Sequence, residues 1–251
     1  MNIMIKQYKM KILKCLPAII IALLVSPVCA QQFAQAVTEL QKIQNAYSDS
    51  GYTSFTVKYQ YAREAAPSKI LDTLSFFYKM KDKKYYCKTD MIEFMQNDSI
   101  NVAVYHNEKT IILSNPSIST EKGRMAIDNW DSAFIAANID SVYVTENKNT
   151  KTIRFHFTPE SRYSSCSIAY NSKNFQPLKI SYIEKATQHY EEGQTKPNGI
   201  IITMQFSAFN KSAFSESVFS ENKFVKNQNE KWALTSGYQK YNIVNNVYKI
   251  E

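Results

Sequence analysis

The chain has 251 residues, 30 Lys+Arg against 22 Asp+Glu, and a formal net charge of +8. Gly is scarce at 5 and Pro at 7, while Tyr and Phe reach 17 and 14. That composition argues against tight-turn sandwiches and glycine-rich phosphate loops, and it favours strands built from aromatic and β-branched residues.

The first thirty residues have the three parts of an export signal in order. Lys6, Lys9, Lys11 and Lys14 supply a positive start, residues 16–25 an apolar run, and Val28-Cys29-Ala30 the small residues of a cleavage site. The apolar run is about ten residues, too short for a membrane span of roughly 20. Cys29 is preceded by Pro27-Val28, which does not fit an acylation site, so acylation there is not expected. The expectation is cleavage after Ala30, an exported chain and one domain over residues 31–251. Removing the signal leaves 26 basic residues against 22 acidic ones, a net charge of +4. So mild a charge, with no basic run interleaved with aromatics, gives no reason to expect nucleic acid as a partner. Cys15 and Cys29 leave with the signal. Cys87 and Cys166 are then either a disulfide, possible in an oxidising compartment, or two separate buried thiols.

Phe33, Val37, Leu40, Ile43 and Tyr47 recur at three- and four-residue steps and predict a helix over residues 32–48. The period then becomes two. Phe55, Val57, Tyr59 and Tyr61 alternate with Thr56, Lys58 and Gln60, and Leu74, Phe76, Tyr78 and Met80 alternate on the next strand. Turns at Lys81-Asp82-Lys83, Asn97-Asp98-Ser99 and His106-Asn107-Glu108 divide residues 54–113 into a meander of six antiparallel strands. Met125, Ile127, Trp130, Phe134 and Ala137 predict a helix within 117–137. Five further strands follow, over 139–145, 151–157, 164–170, 178–183 and 200–206. Phe214, Phe219, Phe224, Trp232 and Tyr238 stud a stretch expected to be irregular. The sum is a mainly β (α+β) chain with one antiparallel sheet of 10–11 strands. A sheet that wide should curl, and helices can then cover its concave face.

Catalytic patterns are missing. His106, His156 and His189 stand apart, no HExxH or Cys/His cluster occurs, and there is no G-x-S-x-G elbow. Glu191-Glu192 falls in a polar loop, and Asp128 and Asp131 read as helix-surface charge. No enzyme activity, catalytic residue, metal or cofactor is expected.

The segment from Asp72 to Cys87, followed by Met91-Ile92-Glu93-Phe94 and by residues 103–113, resembles the LolA-type periplasmic lipoprotein carriers. The likeness covers the signal, the first helix and the meander. It implies a curled half-barrel closed by helices, a periplasmic location and an apolar cavity for lipid or lipoprotein acyl chains. The family's Arg-Pro in the first hairpin is replaced here by Lys79-Met80-Lys81. The resemblance also implies a lid carrying Met125, Trp130 and Phe134. Cavity walls would come from one alternating face: Phe55, Val57, Tyr59, Leu74, Phe76, Tyr78, Phe94, Val104, Ile153, Phe155, Ile180 and Met204. Which face points inward is not fixed by sequence, because a one-residue shift of register exchanges the two sets. Two functions are compatible with this: a monomeric carrier of lipid or acylated protein, or a non-catalytic envelope module with a filled core that binds a protein partner.

Overall fold

The computed structural model describes residues 31–46, 51–116, 130, 132–186, 199–228 and 231–247. The signal segment therefore lies outside the described residues. Helix α1 covers residues 31–46, as the three/four-residue spacing predicts, and buries Ala36, Leu40 and Ile43 along one face. A short helix, α2 (Ser132–Asn138), falls at the end of the second predicted helical stretch.

Eleven strands follow the predicted order. They are β1 (Thr53–Arg63), β2 (Ala66–Lys81), β3 (Lys84–Lys88), β4 (Ile92–Gln96), β5 (Asn101–Tyr105), β6 (Thr110–Ser114), β7 (Ile139–Asn147), β8 (Thr150–Phe157), β9 (Tyr163–Asn171), β10 (Pro177–Glu184) and β11 (Ile200–Asn210). The stretch after residue 211 is more regular than its sequence suggests. It holds 3-10 turns at Glu216–Phe219, Glu221–Lys223 and Ser236–Tyr238. It also holds a hairpin of β12 (Val225–Gln228) and β13 (Lys231–Leu234), and a last strand, β14 (Asn242–Asn246).

The main sheet is a large curled one of twelve strands in the order β14-β6-β5-β4-β3-β2-β1-β11-β10-β9-β8-β7. It is two meanders joined where β1 pairs with β11, antiparallel throughout except for β14, which runs parallel to β6. Tight turns manage with almost no glycine: Asp82, Lys109 and Lys148 take the left-handed conformation, at φ 51°, 46° and 55°. Asn97 shows how such turns are held. Its Oδ1 accepts from the Ser99 and Ile100 amides at 2.9 Å each, while its Nδ2 donates to Phe219 O and Glu221 Oε2.

Two cores lie on opposite faces of this one sheet. The first sits under α1 and α2, on what is here called the inner face. Phe55, Val57, Ile153, Phe155, Ile168, Ile180 and Met204 pack there against Leu40, Ile43 and Ile135. Glu39 pins α1 down, accepting from Tyr170 Oη at 2.6 Å and pairing with Lys42 and Lys151. The second core lies on the outer face of β3–β6. Tyr86, Met95, Val102, Val104, Ile111 and Leu113 pack there against Phe219, Phe224 and Val225 from the C-terminal stretch.

Candidate functional site

Among the described residues, one region of the inner face lies under neither core. Across β1–β6 and β14 the register carries a continuous row: Phe55 opposite Tyr78, Tyr78 opposite Cys87, Cys87 opposite Phe94, Phe94 opposite Ala103, Ala103 opposite Ile112, Ile112 opposite Val244. Residues directly opposite in adjacent strands share a face. The row begins in the first core and runs out of it. Leu74, Phe76, Ile92, Phe94, Ala103, Tyr105 and Ile112 are each only half-buried and belong to neither core.

Rings dominate this strip. Tyr59 meets Phe76 edge-on at 5.4 Å, Phe76 lies 6.1 Å from Tyr78, and Phe94 meets Tyr105 edge-on at 6.3 Å. Burial raises the pKa of Tyr78 and of Tyr59, whose hydroxyls bond to each other, and burial likewise raises Tyr85. Burial pushes the Cys87 thiol up to about 12. A wall of uncharged rings and aliphatic groups offers contact area to an apolar chain.

Eleven of the twelve expected wall residues share the inner face. Val104 does not. It stands opposite Glu93 and Ile111, points outward and is fully buried in the second core. Its neighbours Ala103 and Tyr105 are the inward residues of β5, a one-position shift of the kind that exchanges faces. The eleven also divide by packing. Phe55, Val57, Ile153, Phe155, Ile180 and Met204 are enclosed in the first core, Tyr59 and Tyr78 border it, and Leu74, Phe76 and Phe94 lie beyond it. Ile92, Ala103 and Ile112 complete the strip although alternation alone does not single them out. The available signal is that Ile111, Ile112 and Leu113 are consecutive and apolar, which gives β6 two apolar faces.

Of the expected lid, Met125 lies outside the described residues. Trp130 stacks on Phe134 at 5.4 Å and meets Phe155 and Phe157 edge-on at 5.2 and 5.6 Å. Those two residues therefore cap the first core over β8. Cys87 and Cys166 are not a disulfide: both are free and buried, and burial raises both thiols. Both point to the inner face, but β3 and β9 are separated by β2, β1, β11 and β10 in the sheet.

On the outer face, Glu93 is buried and accepts from Tyr86 Oη at 2.9 Å. It also pairs with Lys223, with Lys88 at 3.3 Å and with His106 Nε2 at 3.4 Å, while His106 Nδ1 meets Tyr241 Oη at 2.8 Å. Burial alone would raise the Glu93 carboxyl. The bonds from Lys223 and Tyr86 and the Lys223 and Lys88 charges outweigh it and hold the carboxyl below its usual range. This cluster fastens the C-terminal stretch to the sheet. Among the described residues no group of three or more His, Cys, Asp or Glu is placed to hold a metal, and no helix is long and apolar enough to cross a membrane. His156 lies on the outer face against Tyr143, while His189, Glu191, Glu192, Asp128 and Asp131 fall outside the described residues.

No family model matches the chain, and no curated protein matches it. Solved structures do. A LolA superfamily protein from Nitrosomonas europaea is similar at 10% identity and a TM-score of 0.36, over 74% of this chain and 98% of that one. An uncharacterized conserved protein from Thermus thermophilus is similar at 7% identity and a TM-score of 0.46, over 84% of this chain and 99% of that one. A protein described as a candidate outer membrane lipoprotein-sorting domain, from Vibrio parahaemolyticus, is similar at 11% identity and a TM-score of 0.33, over 73% and 97%.

Proposed function

We propose that this chain is an exported, non-catalytic carrier that holds an acyl chain, of a lipid or an acylated protein, against the inner face of its sheet. The observation that supports it is the strip of Leu74, Phe76, Ile92, Phe94, Tyr105 and Ile112, apolar yet enclosed by neither core. A soluble chain gains by covering such a row, and an acyl chain matches its length and neutrality. In this reading the leader of residues 1–30 directs the chain to the periplasm. Residues 31–251 act there as one monomeric domain without a cofactor. The wall is Tyr59, Leu74, Phe76, Tyr78 and Phe94, with Ile92, Tyr105 and Ile112, and the enclosed members of the expected set support it from below.

A second reading, an envelope module that binds a protein partner, draws on the fact that half the expected wall is filled core. Lipid extraction and native mass spectrometry of the purified protein, with a fluorescent fatty-acid titration, decide between them. A carrier brings acyl material with it, and Phe76→Ala and Phe94→Ala each weaken fatty-acid binding about tenfold, the equivalent of roughly 1.4 kcal/mol of lost contact. Absence of both bound acyl material and fatty-acid binding by the parent protein defeats the carrier reading.

A further inference from the structure

The pleat of the main sheet sorts charge between its two faces. On the outer face the register places Lys58, Lys79, Lys81, Lys84, Lys88, Arg154 and Lys179. Among the described residues, the only carboxylate at an outer register position is Glu93, which is buried. Asp72, Glu146 and Glu184 all pair at inner positions, opposite Tyr61, Lys151 and Ile200. Three of the outer lysines are neutralised by carboxylates: Lys81 by Glu216, Lys84 by Asp98 and Lys88 by Glu93. Lys58, Lys79, Arg154 and Lys179 have no carboxylate partner among the described residues.

Lys79 lies over the Phe214 ring at 4.9 Å, whereas Lys58, Arg154 and Lys179 are exposed and share a polar surface. Lys58 and Lys179 both stand opposite Gln205, so they lie two strands apart, roughly 10 Å. Ser167, Ser181, Thr203 and Gln60 fill the neighbouring row from Arg154 to β1. Two aromatic side chains stand exposed on the same face, Phe77 at 40% and Tyr143, opposite Arg154, at 49%. Like charges about one Debye length apart repel only weakly in salt, so the arrangement costs the fold little. It nonetheless gives this face a positive field that nothing in the described chain answers.

We propose that the outer face of β1, β2 and β7–β11 docks on an anionic lipid bilayer. Charge complementarity selects the partner: a cationic face meets an anionic surface, and exposed Phe77 and Tyr143 suit the headgroup layer, where aromatic rings partition. This docking is independent of the carrier reading, because it uses the opposite face of the sheet. Whatever the inner face holds, the outer face brings the protein to the membrane.

Co-sedimentation of the purified protein with vesicles tests it. Phosphatidylglycerol-containing vesicles bind it and pure phosphatidylcholine vesicles do not, and added salt releases it. Each basic residue near such a surface contributes about fivefold, so the triple variant Lys58→Gln, Arg154→Gln, Lys179→Gln binds about 100-fold more weakly. A control triple at the hairpin turns, Lys109→Gln, Lys148→Gln, Lys173→Gln, removes the same charge and keeps binding near the parent level. Equal binding to both vesicle types overturns the proposal, and so does equal loss in the two triples, which reduces the effect to net charge. Tighter binding to a DNA duplex than to the anionic vesicles also overturns it and assigns the face to nucleic acid. Acyl-chain capture by the inner face is separated at once, because phosphatidylcholine carries the same chains.

Discussion

The two meanders of this sheet solve the same problem differently. In β7–β11 each strand is buried on one face only. β8 is the plainest case: Ile153, Phe155 and Phe157 point in and are buried, while Arg154 and His156 point out and are exposed. In β3–β6 the strands are five residues long and apolar on both faces. The outward set of β5 and β6, Val102, Val104, Ile111 and Leu113, is fully buried under the C-terminal stretch, and the inward set is half-buried at best. Strict alternation thus marks strands covered once. Its failure marks strands that need a cover on each side, and here the chain supplies only the outer one among its described residues.

Single truncations on the two sides of this divide should differ most. Phe155→Ala, at 0% exposure in the first core, is expected to cost about 3–5 kcal/mol in urea denaturation, and Phe224→Ala in the second core a similar amount. Phe76→Ala or Phe94→Ala, on the strip, should cost clearly less, on the order of 1–2 kcal/mol. A loss at Phe94 equal to that at Phe155 would mean the strip is a third core. Two separate unfolding transitions in Phe224→Ala would sharpen the comparison instead, by showing that the halves of the sheet unfold apart.

A smaller effect comes from the carboxylate that ties the second cover down. Glu93→Gln leaves Lys223 and Lys88 without their anion and should destabilise by about 1–3 kcal/mol. The Glu93 and Glu39 carboxyls both have lowered pKa values. For both, burial works the other way and is outweighed by bonds from Lys223 and Tyr86, and from Tyr170 and Lys42. The folded state therefore binds fewer protons than the unfolded chain. Their contribution is present above the unfolded carboxylate value, about 4.3, and is lost as pH falls through the lower folded values. Urea midpoints measured from pH 7 down to 3 should fall more steeply for the parent than for Glu93→Gln. Parallel curves would remove the cluster from the account. Smallest of all, Ala208→Gly should stabilise by about 0.5–1 kcal/mol, because Ala208 sits at φ 54° where β11 is irregular against β1. A thermal melt reads the sign.

Much of this architecture is legible in the chain. The change of period after residue 46 separates α1 from β1, and the polar turn clusters divide both meanders strand by strand. Three things are not legible, each for a physical reason. The pairing of β1 with β11 joins residues from 137 to 156 apart, and nothing local encodes it. The C-terminal stretch hides its strands because β14 is short and lies on an edge with Asn at three of five positions, and β12 carries a single buried residue, Val225. The inner strip is the third. Periodicity selects a face but not what covers it, so Phe155 in the core and Phe94 on the strip look alike in sequence. Val104 shows the same ambiguity in one residue, since Ala103 is the smaller neighbour and alternation favours the larger.

The parallel pairing of β14 with β6 has a consequence for how this protein is made. Chain emerging from a ribosome or a translocon arrives in order, so β3–β6 are complete more than a hundred residues before Phe219, Phe224 and Ile243 appear. Until then Met95, Val102, Val104, Ile111 and Leu113 form an apolar surface with no cover. The centre of the sheet also waits, because β1 has no second neighbour before β11 arrives. Late, long-range closure of this kind is slow and exposes sticky intermediates. Nascent chains should therefore depend on holding factors until their last forty or so residues are delivered, and truncation before Phe224 should be far more damaging during biogenesis than the small size of the missing piece implies.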